Sequence, residues 1–553
     1  MTGPLRSNSR ARFGLYAAAF VLTAGFRYLV LRDGFPNDHF IYITGGWQML
    51  FGEWPTRDWV DPGLPLMFFA SAVSQAVFGP TLFAEAVLVS CAFGLAAAMT
   101  LAAVLESGGS VGVALAATVL EVAVMPRSYG YPKVFLYAAA FLCFYRYVNR
   151  PGPLRLCAMV VAVAVAFLFR HDHGLFLALG GALTVLLVPD GSSPAARIRR
   201  TAVFAAGAFA MVLPYLLYVE AQVGLGMYFQ TGIEFTRHET TRMSHVWPAV
   251  FGDEAPFRSA LVYELYAIPV AAAGVLLALG HHPRFRMFAA YVVPVAVVAL
   301  IVNYNFIRDP LITRTPDAIL PGVLLGAWLF DRALQGDGAR LVAMPAAVGA
   351  LALFSASVLQ AGKTIDELHR AELVERWNRV PTLFQERTQA LRARLSERQI
   401  PTRATGSLRP FLGYVDRCTT SDHRLLIGGF LVEVPFFARR RFAAGQEYFG
   451  GSFVGTVEGQ RAALYRLRRQ TVPFALIPSD YASDFEQGFP IISGYLHSRY
   501  TSLTTVTVTD ETSVRILVDS GLTPTGRDVE TGWPCFLPVD LAAVPVRERT
   551  GPG

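Results

Sequence analysis

A succession of long apolar segments up to residue 361 constrains the fold of this chain more than any other feature. Stretches of about 20 apolar residues are typical of transmembrane helices. Such segments lie at residues 13–31, 64–79, 81–105, 111–125, 131–148, 154–169, 174–189, 201–223, 262–280, 286–302, 317–334 and 341–361. Because 53% of the residues are hydrophobic, we expect an α-helical polytopic membrane protein with about 11 to 13 transmembrane helices.

Basic residues predict which side of the membrane each loop faces, because short Arg-rich loops lie in the cytoplasm. Such loops here contain Arg146, Arg150 and Arg155; Arg197, Arg199 and Arg200; and Arg284 and Arg286. This orientation places the loop at 33–62, the loop at 303–316 and everything after residue 361 outside. Topology therefore explains the formal net charge of +7, and no nucleic-acid partner is expected.

The predicted spans between residues 62 and 126 conflict with this orientation. Three spans lie where an even number of crossings is needed. Three explanations stay open: the segment 64–79 enters the membrane and returns, the segment 81–105 breaks near Gly94, or one of the spans is wrong.

After residue 361 the sequence becomes richer in charge and predicts a second domain. Apolar residues at helical spacing predict a helix over 364–398, which Pro381 should kink or split. Strands are predicted at 425–431, 474–477, 504–509 and 514–518. We therefore expect residues 1–361 to form a membrane domain and residues 362–553 to form an extracytoplasmic α/β domain.

Two cysteines, Cys418 and Cys535, lie in this C-terminal region. An extracytoplasmic location would permit a disulfide between them, although spacing alone gives no geometry. No CxxC pattern typical of a metal or redox site is present.

The loop at 33–62 carries three aspartates, Asp38, Asp58 and Asp61, between two apolar segments. Carboxylates are costly near a bilayer, so acidic groups held there often have a function. Asp58 and Asp61 are expected to order the loop, bind a metal together with Asp38, or hydrogen-bond a sugar; a turn with Asx-type hydrogen bonds is the alternative. Glu53 is expected to face solvent.

Asp38 is the candidate general base. It precedes apolar residues whose spacing predicts a short amphipathic helix on the membrane surface, with Asn37 or Asp38 at its N-cap. A carboxylate at this position can accept a proton from an attacking hydroxyl. A capping role alone is the alternative interpretation, and capping does not exclude catalysis.

Basic residues in the outer loops are candidates for binding phosphate. Arg127 and Lys133 lie beside Tyr129 and Tyr131, in a pattern that also suits an interfacial aromatic belt. Arg170, Arg308 and Arg314 are the other candidates.

The densest polar group between two apolar spans is Arg170-His171-Asp172-His173. His171 and His173 have the spacing of two metal ligands, but no third ligand follows from spacing. Asp172 is expected to orient a histidine. A polar turn at the lipid–water boundary is the alternative, and no metal site is assigned.

The chain resembles the GT-C superfamily of integral-membrane glycosyltransferases, in particular bacterial members related to protein O-mannosyltransferases and lipid A aminoarabinose transferase. The resemblance depends on the order of features: one span, a loop with Asp38, a second span and a C-terminal α/β domain. It includes the segments Gly46-Trp-Gln-Met-Leu-Phe-Gly-Glu-Trp-Pro-Thr-Arg-Asp, Pro62-Gly-Leu-Pro-Leu, Gly445-Gln-Glu-Tyr-Phe and Pro490-Ile-Ile-Ser-Gly-Tyr-Leu-His-Ser-Arg-Tyr.

The resemblance implies sugar transfer from a polyprenyl-phosphate donor to a lipid, glycan or protein acceptor outside the cell membrane. Asp38 would be the general base, and the basic candidates would contact the donor phosphate. The family often has a second acid directly after the first, but this chain has His39. The implied chemistry needs no cofactor, since arginines can stabilise the leaving phosphate, while a divalent metal remains compatible with it.

A transporter or flippase for a lipid-linked or anionic substrate is the alternative function. Transporters carry ionisable residues near the bilayer midplane. Glu121 and Glu220 are acids within predicted spans and favour this alternative. The polar clusters at the span ends and the C-terminal domain favour the enzyme.

Overall fold

A computed structural model describes residues 9–31, 34–242, 256–307, 316–335, 340–393, 407–450, 455–509 and 511–538. Its first fourteen helices are α1 (Ser9–Val30), α2 (Asn37–Leu50), α3 (Pro65–Phe78), α4 (Leu82–Glu106), α5 (Val111–Ala123), α6 (Tyr131–Asn149), α7 (Pro153–Phe169), α8 (His171–Leu187), α9 (Pro194–Gln222), α10 (Leu225–Arg242), α11 (Pro256–Ala278), α12 (Phe285–Ile307), α13 (Ile319–Gln335) and α14 (Arg340–Arg370). Each predicted apolar segment coincides with one of them.

The described part of the chain contains five helices that are long and apolar enough to cross a membrane. They lie at Ser9–Val30, Leu82–Glu106, Pro194–Gln222, Phe285–Tyr304 and Met344–Arg370. Shorter apolar helices accompany them, among them α3, α5, α7 and α8. The predicted class, a polytopic α-helical membrane protein with a C-terminal α/β region, is confirmed.

α4 runs without interruption from Leu82 to Glu106, so of the three explanations left open, a break near Gly94 is excluded. Gly94 instead permits close packing against α1, because a β-carbon there would lie 2.8 Å from the backbone oxygen of Phe20. α3 has only 14 residues. At about 1.5 Å per residue it is much shorter than a hydrocarbon core of about 30 Å.

The predicted helix at 364–398 is split, as expected from its proline. α14 ends at Arg370 and α15 (Val380–Arg392) follows after a turn. Pro381 lies in the first turn of α15, where a missing backbone N–H is tolerated.

The C-terminal region contains α16 (Arg409–Cys418), α17 (Val434–Ala438), α18 (Val457–Leu467), α19 (Ala482–Gly488) and α20 (Pro490–Arg499). Its strands are β1 (Arg424–Ile427), β2 (Arg441–Phe442), β3 (Phe474–Pro478), β4 (Tyr500–Thr507), β5 (Ser513–Asp519), β6 (Gly526–Arg527) and β7 (Pro534–Cys535). The four predicted strands are β1, β3, β4 and β5. The two-residue strands β2, β6 and β7 are too short for a sequence pattern to reveal.

Five strands form one mixed sheet in the order β2-β1-β3-β5-β4. β1 pairs in parallel with β2 and β3, whereas β3–β5 and β5–β4 are antiparallel. All five residues of β3 are buried, as expected for a central strand covered on both faces. Phe474 and Leu476 point into one core, and Ala475 and Ile477 into the other.

Cys418 at the end of α16 forms a disulfide with Cys535 in β7. The bond closes a sequence separation of 117 residues. Cys418 is buried in the core on the α16 face of the sheet, so the link fastens that helix to the C-terminal segment.

Packing divides the chain into two compact units. The first comprises residues 1–30, 89–217 and 243–383, and the second comprises 31–88, 218–242 and 384–553. The second unit therefore contains α2, α3 and the loop between them, which the sequence assigned to the membrane domain, together with the C-terminal sheet.

α2 differs from the predicted amphipathic surface helix. Nearly all its residues are buried or half-buried. Its Phe40 packs on Phe436 and Phe437 of α17, at ring distances of 6.2 and 5.2 Å, and Thr44 donates a hydrogen bond to the Val432 carbonyl at 2.7 Å. α2 is thus an internal helix of the second unit.

The segment 224–261, between the predicted spans 201–223 and 262–280, contains α10 and the beginning of α11. The connection between these helices, at 243–255, lies outside the described residues.

Candidate functional site

Three basic side chains of the first unit, Arg127, Lys133 and Arg170, form a group that we call the cationic cluster. Asp317 is 1% exposed and accepts hydrogen bonds from the backbone N–H of Arg127 at 3.0 Å and from its guanidinium at 2.7 and 3.1 Å. Lys133 Nζ lies 3.8 Å from the same carboxylate. Lys133 also interacts electrostatically with Arg127, Arg170 and Asp172. The structure thus brings three predicted phosphate contacts together.

The turn before α6 gives this cluster its shape. Residues 128–130 form a single 3₁₀ turn after Arg127. A β-carbon at Gly130 would lie 2.4 Å from Asp317 Oδ1, so only glycine permits this approach. The Arg127 guanidinium also lies 4.5 Å from the centre of the Tyr129 ring, in a cation–π contact. Backbone and aromatic contacts therefore both fix Arg127.

Arg27 lies beside the same turn and was not singled out from the sequence. It is buried in α1, donates a hydrogen bond to the Pro126 carbonyl at 2.6 Å, and stacks 4.0 Å from the centre of the Phe93 ring. An arginine within the last turn of an apolar span was the signal that could have identified it.

Arg170, the N-terminal neighbour of α8, is held by Asp172. Its guanidinium donates two hydrogen bonds to the two carboxylate oxygens, at 3.2 and 3.0 Å. Asp172 Oδ1 also accepts from the backbone N–H of His173 at 2.9 Å. His173 Nδ1 lies 2.6 Å from the Tyr137 hydroxyl. Asp172 therefore orients the arginine through two direct hydrogen bonds.

His171 and His173 do not act as a pair. The His171 ring stacks on Phe167 at 4.2 Å, and its Nδ1 lies 2.7 Å from the Phe167 carbonyl oxygen. His173 is instead engaged with Tyr137. Among the residues that the structure describes, no group of three or more His, Cys, Asp or Glu side chains is arranged to hold a metal ion.

Three cations and two carboxylates meet in the cationic cluster. Among the described residues, the charges of Arg127, Arg170, Asp317 and Asp172 act on Lys133. Partly desolvated cations attract an anion much more strongly than they would in water. A phosphate group is an anion of suitable size and charge. Arg308 and Arg314, the other predicted phosphate contacts, lie outside the described residues.

Asp38 lies in the first turn of α2, in the second unit, and its side chain is exposed. The predicted N-cap is wrong, because the residue before α2 is Pro36 and, within the described chain, no side chain caps this helix terminus. A carboxylate in a first turn is favoured by the helix dipole. Asp38 is therefore accessible to a substrate.

The residue after Asp38 is fully buried and makes a strong polar contact. His39 Nε2 lies 2.7 Å from Glu85 Oε1. The other Glu85 oxygen accepts from the Ser71 hydroxyl at 2.7 Å. Gln75 donates to Ser71 at 3.1 Å and to the Ile43 carbonyl at 2.9 Å. We call His39, Glu85, Ser71 and Gln75 the buried polar circuit; it joins α2, α3 and α4, and the sequence did not reveal it.

Asp61 and Asp58 order the loop between α2 and α3. Asp61 Oδ1 accepts from the backbone N–H groups of Gly63 and Leu64, at 2.9 and 2.8 Å, and Oδ2 accepts from the Tyr228 hydroxyl at 3.1 Å. Asp58 accepts from the Trp54 N–H at 2.7 Å. The two backbone bonds of Asp61 are those of an Asx-type turn, whereas Asp58 binds a backbone N–H four residues earlier. Both side chains therefore order this loop.

Glu53 does not face solvent as predicted. Its carboxylate pairs with Arg424 of β1 and with Arg441 of β2, the latter at 2.9 Å, and its side chain is only 15% exposed. The pairing attaches the loop after α2 to the edge of the C-terminal sheet within the second unit.

Two other acids of the second unit are desolvated. Burial raises the pKa of Glu433 to about 7. Burial and the neighbouring Asp61 carboxylate raise the pKa of Glu447 well above its ordinary value. Within the described residues, both Glu433 oxygens and Glu447 Oε1 have no hydrogen-bond partner.

No protein-family model and no curated protein matches the chain. Among solved structures, it is similar to ArnT from Cupriavidus metallidurans in the apo state, with a TM-score of 0.47 and 13% sequence identity. The match covers 92% of this chain and 98% of ArnT. Such a low identity says nothing about individual side chains.

Proposed function

We propose that this chain is an integral-membrane glycosyltransferase that moves a sugar from a polyprenyl-phosphate donor to an acceptor hydroxyl. The acceptor is a lipid, glycan or protein at the outer face of the cell membrane. The observation that carries the proposal is the cationic cluster, in which Asp317 and Asp172 hold three basic side chains together. The motif order of the sequence agrees with this reaction.

The cationic cluster suits the leaving group of such a transfer. A sugar phosphodiester carries one negative charge, and the polyprenyl phosphate that leaves carries up to two. Basic side chains near the phosphate therefore bind the transition state more tightly than the ground state, which is the condition for catalysis. Arg127 and Arg170 offer forked donors, whereas Lys133 offers a compact charge.

Asp38 supplies the general base. It takes the proton from the acceptor hydroxyl while the hydroxyl oxygen attacks the anomeric carbon. The bond between that carbon and the phosphate oxygen breaks, and its electron pair leaves with the phosphate. Attack on the face opposite to the leaving group inverts the anomeric configuration. The exposure of Asp38 suits proton transfer from a bulky acceptor.

Membrane lipids are expected partners, because a polyprenyl tail needs an apolar environment. The five long apolar helices agree with this requirement. Arg155 lies in the first turn of α7, and the basic residues at 197–200 lie in the first two turns of α9. Basic residues at these helix ends favour an orientation with the C-terminal region outside.

The test compares glycolipids and surface glycans by mass spectrometry in cells with and without this chain. Asp38→Asn should abolish the new glycan while leaving expression intact. Asp484→Asn is the matched control, since Asp484 is an exposed aspartate in the first turn of α19. Normal glycan formation by Asp38→Asn would exclude Asp38 as the base, and an unchanged glycan profile without the chain would contradict glycosyl transfer altogether.

One observation favours a transporter instead. Glu121 in α5 is buried, and its Oε2 has no hydrogen-bond partner within the described chain. Acids buried within apolar helices mark the ion or proton pathways of many transporters. Under this alternative, Glu121→Gln would abolish uptake or flipping of a labelled lipid in proteoliposomes. Under the proposed function, that variant retains sugar transfer.

A further inference from the structure

The N-terminus of α2 has an unusual means of support. Pro36 precedes the helix, and within the described residues no side chain accepts from its first N–H groups. A helix terminus without a cap is prone to fraying. Its orientation must therefore come from contacts with other elements, and His39 in the first turn makes the strongest of them.

His39 lies where three helices meet. Its ring is fully buried and packs against the Phe35 ring at a centroid distance of 4.4 Å. Its Nε2 contacts Glu85, in the first turn of α4. Burying a carboxylate costs free energy, and hydrogen bonds to its oxygens offset this cost. Glu85 has both oxygens paired, one by His39 and one by Ser71.

The buried polar circuit returns to α2 one turn later. Gln75 donates both to Ser71 on its own helix and to the carbonyl oxygen of Ile43 on α2. Two points of α2, His39 and Ile43, are therefore tied to the same set of side chains. Two attachments one turn apart fix the direction of the helix axis as well as its position. Asp38 is the residue directly before the first attachment.

We propose that His39 is a positioning residue, which through Glu85 fixes the first turn of α2 and so aims the Asp38 carboxylate at the acceptor hydroxyl. This inference rests on the proposed function. A displacement of about 1 Å of a catalytic group can lower a rate about 100-fold.

The first test compares two substitutions of His39. His39→Gln retains an N–H donor near the Nε2 position and should keep most of the activity. His39→Leu retains only the bulk and should lower kcat about 100-fold with KM for donor and acceptor nearly unchanged. His497→Leu is the matched control, because His497 also faces a glutamate, Glu486 at 3.8 Å, but is exposed. Equal losses in His39→Gln and His39→Leu would overturn the proposal.

The second test separates aiming from folding. Formate is a small carboxylate that should restore part of the activity of Asp38→Ala. Because formate diffuses freely, adding His39→Leu to Asp38→Ala should hardly change the formate-rescued rate. The same substitution should lower the rate of the enzyme that retains Asp38. A general structural defect would lower both rates alike, and that result would overturn the proposal.

A milder pair of variants covers the case in which His39→Leu does not fold. Glu85→Gln keeps the volume of the side chain and weakens the contact to His39, and Ser71→Ala removes only the second partner. Both should lower kcat with Asp38 present and leave the formate-rescued rate within about twofold. If Asp38→Ala is fully active without formate, the proposed function fails. If it is inactive and the His39 and Glu85 variants keep a normal kcat, only the positioning role fails.

Discussion

Arg127 and Asp317 are 190 positions apart in the sequence and are joined by three hydrogen bonds. One of these bonds comes from the arginine backbone and two from its guanidinium, so the contact fixes both the chain and the side chain. Lys133 shares the same carboxylate. The Asp317 carboxylate is therefore the shared partner that holds Arg127 and Lys133 in the cationic cluster.

Asp317→Asn should weaken donor binding as well as the fold. The amide keeps the shape but removes the charge that compensates Arg127 and Lys133. Breaking a buried ion pair costs about 3–5 kcal/mol, so the free energy of unfolding should fall by that order. We also expect KM for the lipid-linked donor to rise about tenfold, measured with the reconstituted protein.

Asp331→Asn is the control for that variant. Asp331 forms a similarly buried pair with Arg332, at 2.7 Å, but neither residue belongs to the cationic cluster. It should lower thermal stability and leave the KM for the donor unchanged. If both variants leave this KM unchanged, Asp317 has only a structural role.

Arg170→Ala should reduce donor use without a large loss of stability. Arg170 is partly exposed and its partner Asp172 lies in the same turn, so little packing is lost. Removing a charged hydrogen-bond donor to phosphate costs about 1.5–3 kcal/mol, which lowers kcat/KM for the donor about 10- to 100-fold. Initial rates at varied donor concentration measure this change.

Arg200→Ala is a comparable change outside the cluster. Arg200, in the second turn of α9, pairs with Asp190 at the helix end that the basic residues assign to the cytoplasmic side. The donor kinetics of this variant should match those of the unchanged protein. Equal kinetics in Arg170→Ala and Arg200→Ala would contradict a phosphate role for Arg170.

The helices were predictable because apolar length is a local property of the sequence. The cationic cluster was predictable only in part. Arg127, Lys133 and Arg170 follow from residue type and loop position, but Asp317 reaches them through tertiary packing. No spacing rule connects positions 190 residues apart. Arg27 was overlooked because a single arginine at a span end is usually interfacial.

In the second unit, too, the sequence identified some residues but not their partners. Asp38 was identifiable as an acid at the start of a helix, but His39 attracted attention only as a departure from a motif. Its partner Glu85 lies 46 positions later. Glu53 was misjudged because its two arginine partners belong to the distant β1 and β2. Hydrophobic pattern predicts elements, whereas the polar partners of buried side chains depend on how those elements meet.

Gly445→Ala should destabilise the second unit. Gly445 has φ of +70°, and a β-carbon there would lie 2.7 Å from the backbone oxygen of Asp58. Left-handed backbone at a non-glycine residue and this steric overlap each oppose the substitution, with a total cost of about 1–3 kcal/mol. Thermal unfolding of the purified protein measures the loss.

Gly494→Ala should have the opposite effect on stability. Gly494 lies within α20, and nothing within 4 Å would meet its β-carbon. Alanine in a helix interior is favoured over glycine by about 0.5–1 kcal/mol. This variant should therefore be slightly more stable. Equal stability of the two variants would contradict the close approach of Gly445 to the loop after α2.

Glu433→Gln should stabilise the second unit, and the gain should depend on pH. Burial raises the pKa of Glu433 to about 7 from its ordinary value of 4.5. Below pH 4.5 the carboxyl is protonated in both the folded and unfolded states, so its ionisation does not lower the free energy of unfolding. As the pH rises towards 7, the unfolded state ionises more readily, so stability is lost. The loss is complete above pH 7 and amounts to about 3 kcal/mol.

Glutamine at this position does not ionise, so the variant should gain up to that amount at pH 8 and almost nothing at pH 4. Denaturation curves at the two pH values measure the difference. Glu458→Gln is the control, because Glu458 is exposed in the first turn of α18 and its substitution should have little effect at either pH. If the gain is equal at pH 4 and pH 8, the pKa of Glu433 is the same in the folded and unfolded states. The stabilisation would then come from the packing of the amide rather than from the removal of a buried charge.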